Sequence, residues 1–233
     1  MIVERPIDCG ALYDEERAAF IALLESLPAD DLERVVPATP AWSVHDVLAH
    51  VVAITADLNA QDFGKADADA EAWTARQVAS RRGRTVGELG AEWDAEAPAF
   101  TAGLELFGYE LSSHFVGDLV QHVADVHAAL GLPQRSDDDL ALVVALDFYL
   151  DALHEALVEA EVGASLDIAG EEWRLGTGPP VATLRTGRFE ALRAIGGRRS
   201  LHQLRAMAWT GDSEVLLPRI SRYGLPTTDL LEG

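Results

Sequence analysis

One stretch constrains this chain more than any other: His114-Phe-Val-Gly-Asp118-Leu-Val-Gln-His122-Val-Ala-Asp125-Val-His127. At about 100° per residue, His114, Asp118, Asp125 and His122 fall at roughly 0°, 40°, 20° and 80° around a helix axis, which predicts one narrow polar stripe. Phe115, Leu119, Val123, Val126 and Leu130 supply the apolar positions at helical spacing. His127 points roughly 220° away from His114, so in an unbroken helix it cannot share an ion with His122. Asp118 and His122 stand four residues apart and stack on adjacent turns, within reach of one metal ion. The same pair has a plainer reading as a solvated i,i+4 contact worth a few tenths of a kcal/mol. A third donor from another part of the chain separates the two.

The chain has 233 residues, enough for one large domain or two modest ones that each bury a core. Its 39 acidic residues against 18 Lys and Arg give a net charge of −21. Phosphate-backbone partners require clustered cations, and an anionic membrane surface would repel this chain, so nucleic acid and membrane are both excluded as expected partners. The single cysteine, Cys9, cannot form an intramolecular disulfide and reads as an inert thiol. The opening Met-Ile-Val-Glu-Arg-Pro carries acid and proline where a secretory signal has a basic start and an apolar run. No apolar run reaches a membrane span, and the expectation is a cytoplasmic protein, monomer or homodimer.

Along the chain, residues 8–27 read as a first helix and 28–31 as a turn. Residues 36–42 read as an extended connector, because Pro37 and Pro40 disfavour helix in the residues before them. Ser43, with Asp46 three residues on, starts a second helix. Within it His50 falls among the buried-side residues Val47, Val51 and Ile54, while His45 lies in the exposed first turn. A lone inward histidine can equally be a hydrogen-bonded core residue. Residues 61–70 form a loop, 73–80 and 86–106 form helices flanking the basic turn 81–84, and Gly108 interrupts the pattern before the central helix. That helix stops at Gly131, and Ser136-Asp-Asp-Asp opens a last long helix through about residue 161, with His154 on its surface. Beyond Gly163 the texture changes to short strands at 165–169, 173–175, 181–185 and 203–209, a helix at 189–195 and a final helix at 213–223. The expected class is α+β overall, with a helical domain over 1–162 followed by a small α+β domain over 163–233.

Two motifs go further. Thr39-Pro-Ala-Trp42-Ser43-Val-His45-Asp46-Val-Leu-Ala-His50, followed by Asp118-x-x-x-His122-x-x-Asp125 and Ala129-Leu-Gly131, resembles the mycothiol-dependent maleylpyruvate isomerase family, one of the DinB/YfiT-like metal-binding four-helix bundles. Phe189-Glu-Ala-Leu-Arg-Ala-Ile-Gly-Gly-Arg198-Arg199-Ser200 and Ala208-Trp-Thr-Gly-Asp212 resemble that family's C-terminal domain. The resemblance implies a divalent metal, Zn2+ in most of the family, held by His50, Asp118 and His122. Asp118 departs from it, standing where the family's isomerases carry Glu; His114, one turn earlier, is an alternative ligand. Asp125 fits a supporting place, accepting the second N–H of a ligand histidine or else anchoring a neighbouring loop.

Three protein ligands leave an open coordination position, which distinguishes a catalytic zinc site from a structural one. In the family that position serves a thiol, mycothiol. Addition of the thiolate to the cis double bond of maleylpyruvate, rotation and elimination give fumarylpyruvate. Arg198, Arg199 and Arg222 are candidates for gripping the carboxylates of a small electrophilic substrate, although an Arg in such a turn also ties backbone carbonyls. A related S-transfer uses the same parts. The remaining alternatives are a non-catalytic ligand-binding or interaction module, and a metal-dependent hydrolase with water in the open position.

Overall fold

A computed structural model describes residues 5–65 and 67–232; the N-terminal stretch read against a secretory signal falls largely on residues 1–4, outside the described residues. Two compact units share the chain, and each draws on a different part of one long helix. The first comprises residues 6–112 and 122–132, and the second comprises Arg5, 113–121 and 133–232.

The first unit begins with α1 (Cys9–Glu25), whose first turn is capped by the Asp8 carboxylate accepting from the Ala11 N–H at 2.8 Å. The predicted turn after it contains a four-residue helix, α2 (Ala29–Leu32). The connector up to Trp42 is pinned by a bridge between Val35 and Ser43, and then α3 (Val44–Asn59) starts on the predicted capping box of Ser43 and Asp46. α4 (Ala70–Ala79) follows the expected loop and packs on α3. α5 (Val86–Leu130) opens on a second capping box, Thr85 with Glu88, and ends at Gly131 in the left-handed region. Trp93 and Tyr13 both hydrogen-bond the buried Thr55 hydroxyl at 3.0 Å, so the aromatic core is satisfied at its polar atoms as well as packed.

Gly108 does interrupt α5. Its φ of 79° and ψ of 171° leave the helical region, and the Ser112 hydroxyl lies within donating distance of the carbonyls of Leu104 and Gly108 across the kink. Beyond the kink the helix runs through the interior. Residues 119–126 are buried on every side, so the predicted polar stripe faces protein and no solvated face remains there.

The second unit is built on α6 (Leu140–Glu159), capped by Asp139, which packs against a four-stranded sheet and against α7 (Arg188–Ile195). The strands are β1 (Gly163–Ile168), β2 (Glu171–Gly176), β3 (Pro180–Thr186) and β4 (Ala208–Gly211), in the order β2-β1-β3-β4. β1 pairs antiparallel with β2 and parallel with β3, which pairs antiparallel with β4. Leu166, Leu175 and Leu184 form its buried face. The expected α+β class is met.

Two local expectations are corrected here. Residues 201–206 form a helix, α8 (Leu201–Ala206), where alternation predicted a strand; Ser200 and Gln203 make a capping box that the alternating pattern concealed. The final helix expected over 213–223 is two single 3-10 turns, Ser213–Val215 and Leu217–Arg219. Pro218 has no N–H to give and its ring crowds the carbonyl four residues back, which disfavours a continuous α-helix here. His154 is half-buried on its helix and accepts the Gly176 N–H at 3.1 Å through Nδ1. Among the described residues no helix is long and apolar enough to cross a membrane.

Candidate metal centre

His50 lies in the middle of α3 and is only 4% exposed, as its place among Val47, Val51 and Val52 predicts. His122 lies on α5, is also buried, and its ring centroid stands 5.0 Å from that of His50 at a steep angle. Asp118 sits one turn before His122 on the same helix, so helical spacing sets their separation. One donor atom from each of His50, Asp118 and His122 lies within 4.8 Å of the others, the only such cluster of donors among the described residues. Ligands at about 2.0–2.2 Å from a tetrahedral ion stand roughly 3.4 Å apart, so a contraction of at most about 1.4 Å converts this cluster into a coordination shell. Two imidazoles and one carboxylate are a donor set suited to Zn2+ and to neighbouring divalent ions.

The walls are partly aromatic. The Trp42 ring lies 4.8 Å from His50 and 6.0 Å from His122, so the motif tryptophan covers both imidazoles. Asp125 is fully buried, with Oδ2 at 3.6 Å from the His122 Nδ1. His50 Nδ1 meets Gln77 Oε1 at 3.0 Å; the Gln77 amide donates to Asp57 Oδ2 at 2.9 Å, and Trp73 Nε1 donates to that same oxygen at 2.9 Å. Gln77 and Asp57 escaped the sequence reading. The one available signal was Trp73 and Gln77 at i,i+4 on a helix otherwise made of small and charged residues, which marks their shared face as the inner one.

His114 does not join the donor cluster. Its ring stands perpendicular to Phe148 at 4.3 Å and to Phe115 at 5.2 Å. Burial lowers its pKa below the usual imidazole value; the Asp118 charge works against that shift and the Arg222 charge with it.

The three arginines have different surroundings. Arg198 donates to the Gly196 carbonyl at 2.9 Å, closing the end of α7. Arg199 is buried and grips both Glu190 oxygens and Glu232 Oε2, each at 2.7 Å. Burial acts against its charge, yet the two carboxylates outweigh it and raise its pKa. Such a guanidinium is committed to holding the fold. Arg222 is exposed and lies 6.0 Å from the Tyr223 ring. Together they line a cavity of about 310 Å³ in the second unit, with Tyr149, Leu153, Ile195 and Arg219. Partial burial raises the Tyr223 phenol above its ordinary pKa, opposed by Arg222 and reinforced by Asp118, so the cavity wall and the Asp118 carboxylate share one electrostatic neighbourhood.

Fold and donor set together define a helical bundle with a histidine–carboxylate cradle, continued in sequence by a small α+β part. Residues 13–110 match the family described as mycothiol maleylpyruvate isomerase N-terminal domain. This meets the resemblance carried by the Thr39–His50 motif; Asp118 and His122 lie beyond the match. No curated protein matches the chain. Two solved structures are similar in fold. A point mutant of the mycothiol-dependent maleylpyruvate isomerase has a TM-score of 0.55 at 10% identity, covering 81% of this chain and 88% of its own. The mycothiol-dependent maleylpyruvate isomerase itself gives 0.50 at 13% identity, covering 82% and 88%.

Proposed function

We propose that this chain is a metal-dependent enzyme that works with a low-molecular-weight thiol, mycothiol in the family it resembles. It catalyses cis–trans isomerisation of maleylpyruvate or a closely related thiol transfer to a small electrophile. The observation that carries this reading is the convergence of His50, Asp118 and His122 within 4.8 Å. Three donors satisfy the protein's share of a catalytic site and leave a position open. A divalent ion bound there, Zn2+ by the donor set, lowers the pKa of a thiol so that thiolate is present at neutral pH.

The chain's own residues supply the rest. His50 and His122 serve as neutral imidazoles, because a ligand nitrogen must carry a lone pair. Asp118 brings one negative charge, so the charge of the loaded site stays positive toward an anion. Asp125, with Oδ2 3.6 Å from the His122 Nδ1, sets a buried negative charge beside that imidazole. Trp42 keeps bulk water from the two rings, which strengthens every charge interaction inside. Arg222 is the arginine whose guanidinium is exposed at a cavity and available to a substrate carboxylate, whereas Arg198 and Arg199 hold the turn behind it. The Tyr223 hydroxyl beside it remains protonated at neutral pH and can donate to a developing oxyanion.

Metal analysis of the purified protein tests the reading directly. About one divalent ion per chain is expected, lost in His122→Ala. Loaded protein then isomerises maleylpyruvate in the presence of mycothiol, followed by absorbance, and a metal-stripped control does not. Substoichiometric metal that is indifferent to His122 overturns the proposal. Full metal loading with neither isomerase nor thiol-transfer activity favours a binding module instead.

A further inference from the structure

We infer that Gln77, held by Asp57, is a positioning residue that fixes the proton of His50 on Nδ1 and so presents Nε2 as the donor nitrogen. The inference deepens the metal-site reading above and rests on it for its functional meaning. It follows from which atoms in the chain can donate. The Trp73 indole nitrogen is donor-only, so Asp57 Oδ2, 2.9 Å away, must accept from it. The same oxygen lies 2.9 Å from the Gln77 amide nitrogen, and a carboxylate accepting from both sides holds that NH2 group in place. The Gln77 carbonyl is thereby turned toward His50, where Oε1 lies 3.0 Å from Nδ1. An amide oxygen can only accept, so Nδ1 must carry the hydrogen. In a neutral imidazole the lone pair then resides on Nε2.

Burial is what makes this arrangement decisive. Gln77 is 1% exposed and His50 4% exposed, so water cannot substitute for a mismatched partner. A flipped amide would set its oxygen against the Asp57 carboxylate, a repulsion that no change of His50 tautomer relieves. The chain also spans two elements: Asp57 lies seven residues after His50 on α3, and Trp73 and Gln77 occupy one face of α4. Helix α4 therefore has a task at the site although it contributes no ligand.

The test reads the proton and the metal separately. In metal-free protein with 15N-labelled histidine, long-range proton–nitrogen correlation is expected to show His50 with Nδ1 protonated. Gln77→Met, close in size and unable to accept from Nδ1, is expected to weaken Zn2+ binding about 10- to 100-fold in competition with a chromophoric chelator. If Gln77→Met fails to fold, Asp57→Asn serves. Its amide no longer dictates the Gln77 orientation, and both His50 tautomers are expected in the metal-free spectrum. An Nε2-protonated His50 in the wild type, or equal Zn2+ affinity in wild type and Gln77→Met, overturns the inference. A wild type that shows Nδ1–H yet binds no ion leaves the tautomer assignment standing and sinks the metal reading. One that binds an ion through an Nε2-protonated precursor does the reverse.

Discussion

Asp118 differs from a glutamate by one methylene, and that shortness decides how the carboxylate meets an ion. On a helix, the shorter side chain keeps its oxygens near the backbone, so the His122 imidazole one turn on and the His50 imidazole must do more of the reaching. The donor atoms all lie within 4.8 Å of one another, near enough for one cation to draw them together. Asp118→Asn preserves shape and removes the negative charge. Zn2+ affinity measured by chelator competition is expected to fall at least tenfold, the lower end of what even an outer partner of a ligand contributes. Affinity equal to the wild type would remove Asp118 from the ligand set. A second acid matters for a different reason. Glu232 binds the fully buried Arg193 through Nε at 2.7 Å and also Arg199 at 2.7 Å, while Arg193 reaches Gln121 Oε1 on α5 at 2.6 Å. Glu232→Ala takes the carboxylate from a guanidinium that has no access to water, which costs about 3–5 kcal/mol. Urea denaturation checks it, and a loss below about 1 kcal/mol would mean the site relaxes open to solvent.

At the scale of elements, what could be read in the sequence was whatever rests on local chemistry. Ser43 with Asp46 announces α3, Gly131 ends α5, and Gly108 marks the break within it, because caps and left-handed turns need particular residue types. The residues of the donor cluster were legible for the same reason, as a motif on α3 and an i,i+4 pair on α5. What stayed hidden depends on contacts between elements. Alternation over 203–209 imitated a strand while a capping box at Ser200 made a helix, and nothing in a single sequence says that Gln77 faces His50. The stripe on α5 was correctly phased, and the burial of His122 and Asp125 favours the cradle reading over the solvated pair, which periodicity alone could not decide because it gives a face and not what covers it. The break at Gly108 carries its own expectation. A side chain added there meets nothing within 4 Å, so the cost of Gly108→Ala is purely conformational. At φ 79° and ψ 171° the backbone occupies a region essentially reserved for glycine, and about 1–3 kcal/mol should be lost in thermal or chemical unfolding. An unchanged stability would show that residue 108 passes into continuous helix at no cost.

Across the whole molecule, charge sets the response to solution conditions. Thirty-nine acids face 18 Lys and Arg, a surplus of 21 negative charges on one chain. Many of the arginines are already engaged: Arg17, Arg34, Arg76, Arg81, Arg82, Arg84, Arg185 and Arg205 each pair with one or more carboxylates at the surface or partly buried. Salt acts on both populations in opposite directions. It weakens the exposed pairs, each worth about 0–1 kcal/mol, and it screens the mutual repulsion of the acids left over. The two effects differ in reach. A pair loses little because its charges sit within about 3 Å, well inside a Debye length of roughly 10 Å at 0.1 M, whereas repulsion among scattered acids acts over distances that salt screens almost completely. Repulsion therefore dominates the salt response, and the melting temperature is expected to rise as NaCl is taken from about 0.02 M to about 0.5 M. Scanning calorimetry of the metal-free protein at fixed pH reads this without interference from ion binding at the cradle. A melting temperature that falls with salt would mean that the arginine pairs, and not the acid surplus, govern stability. Replacing Arg76, which bridges Asp62 and Asp67, with Gln should then have a larger effect at low salt than at high.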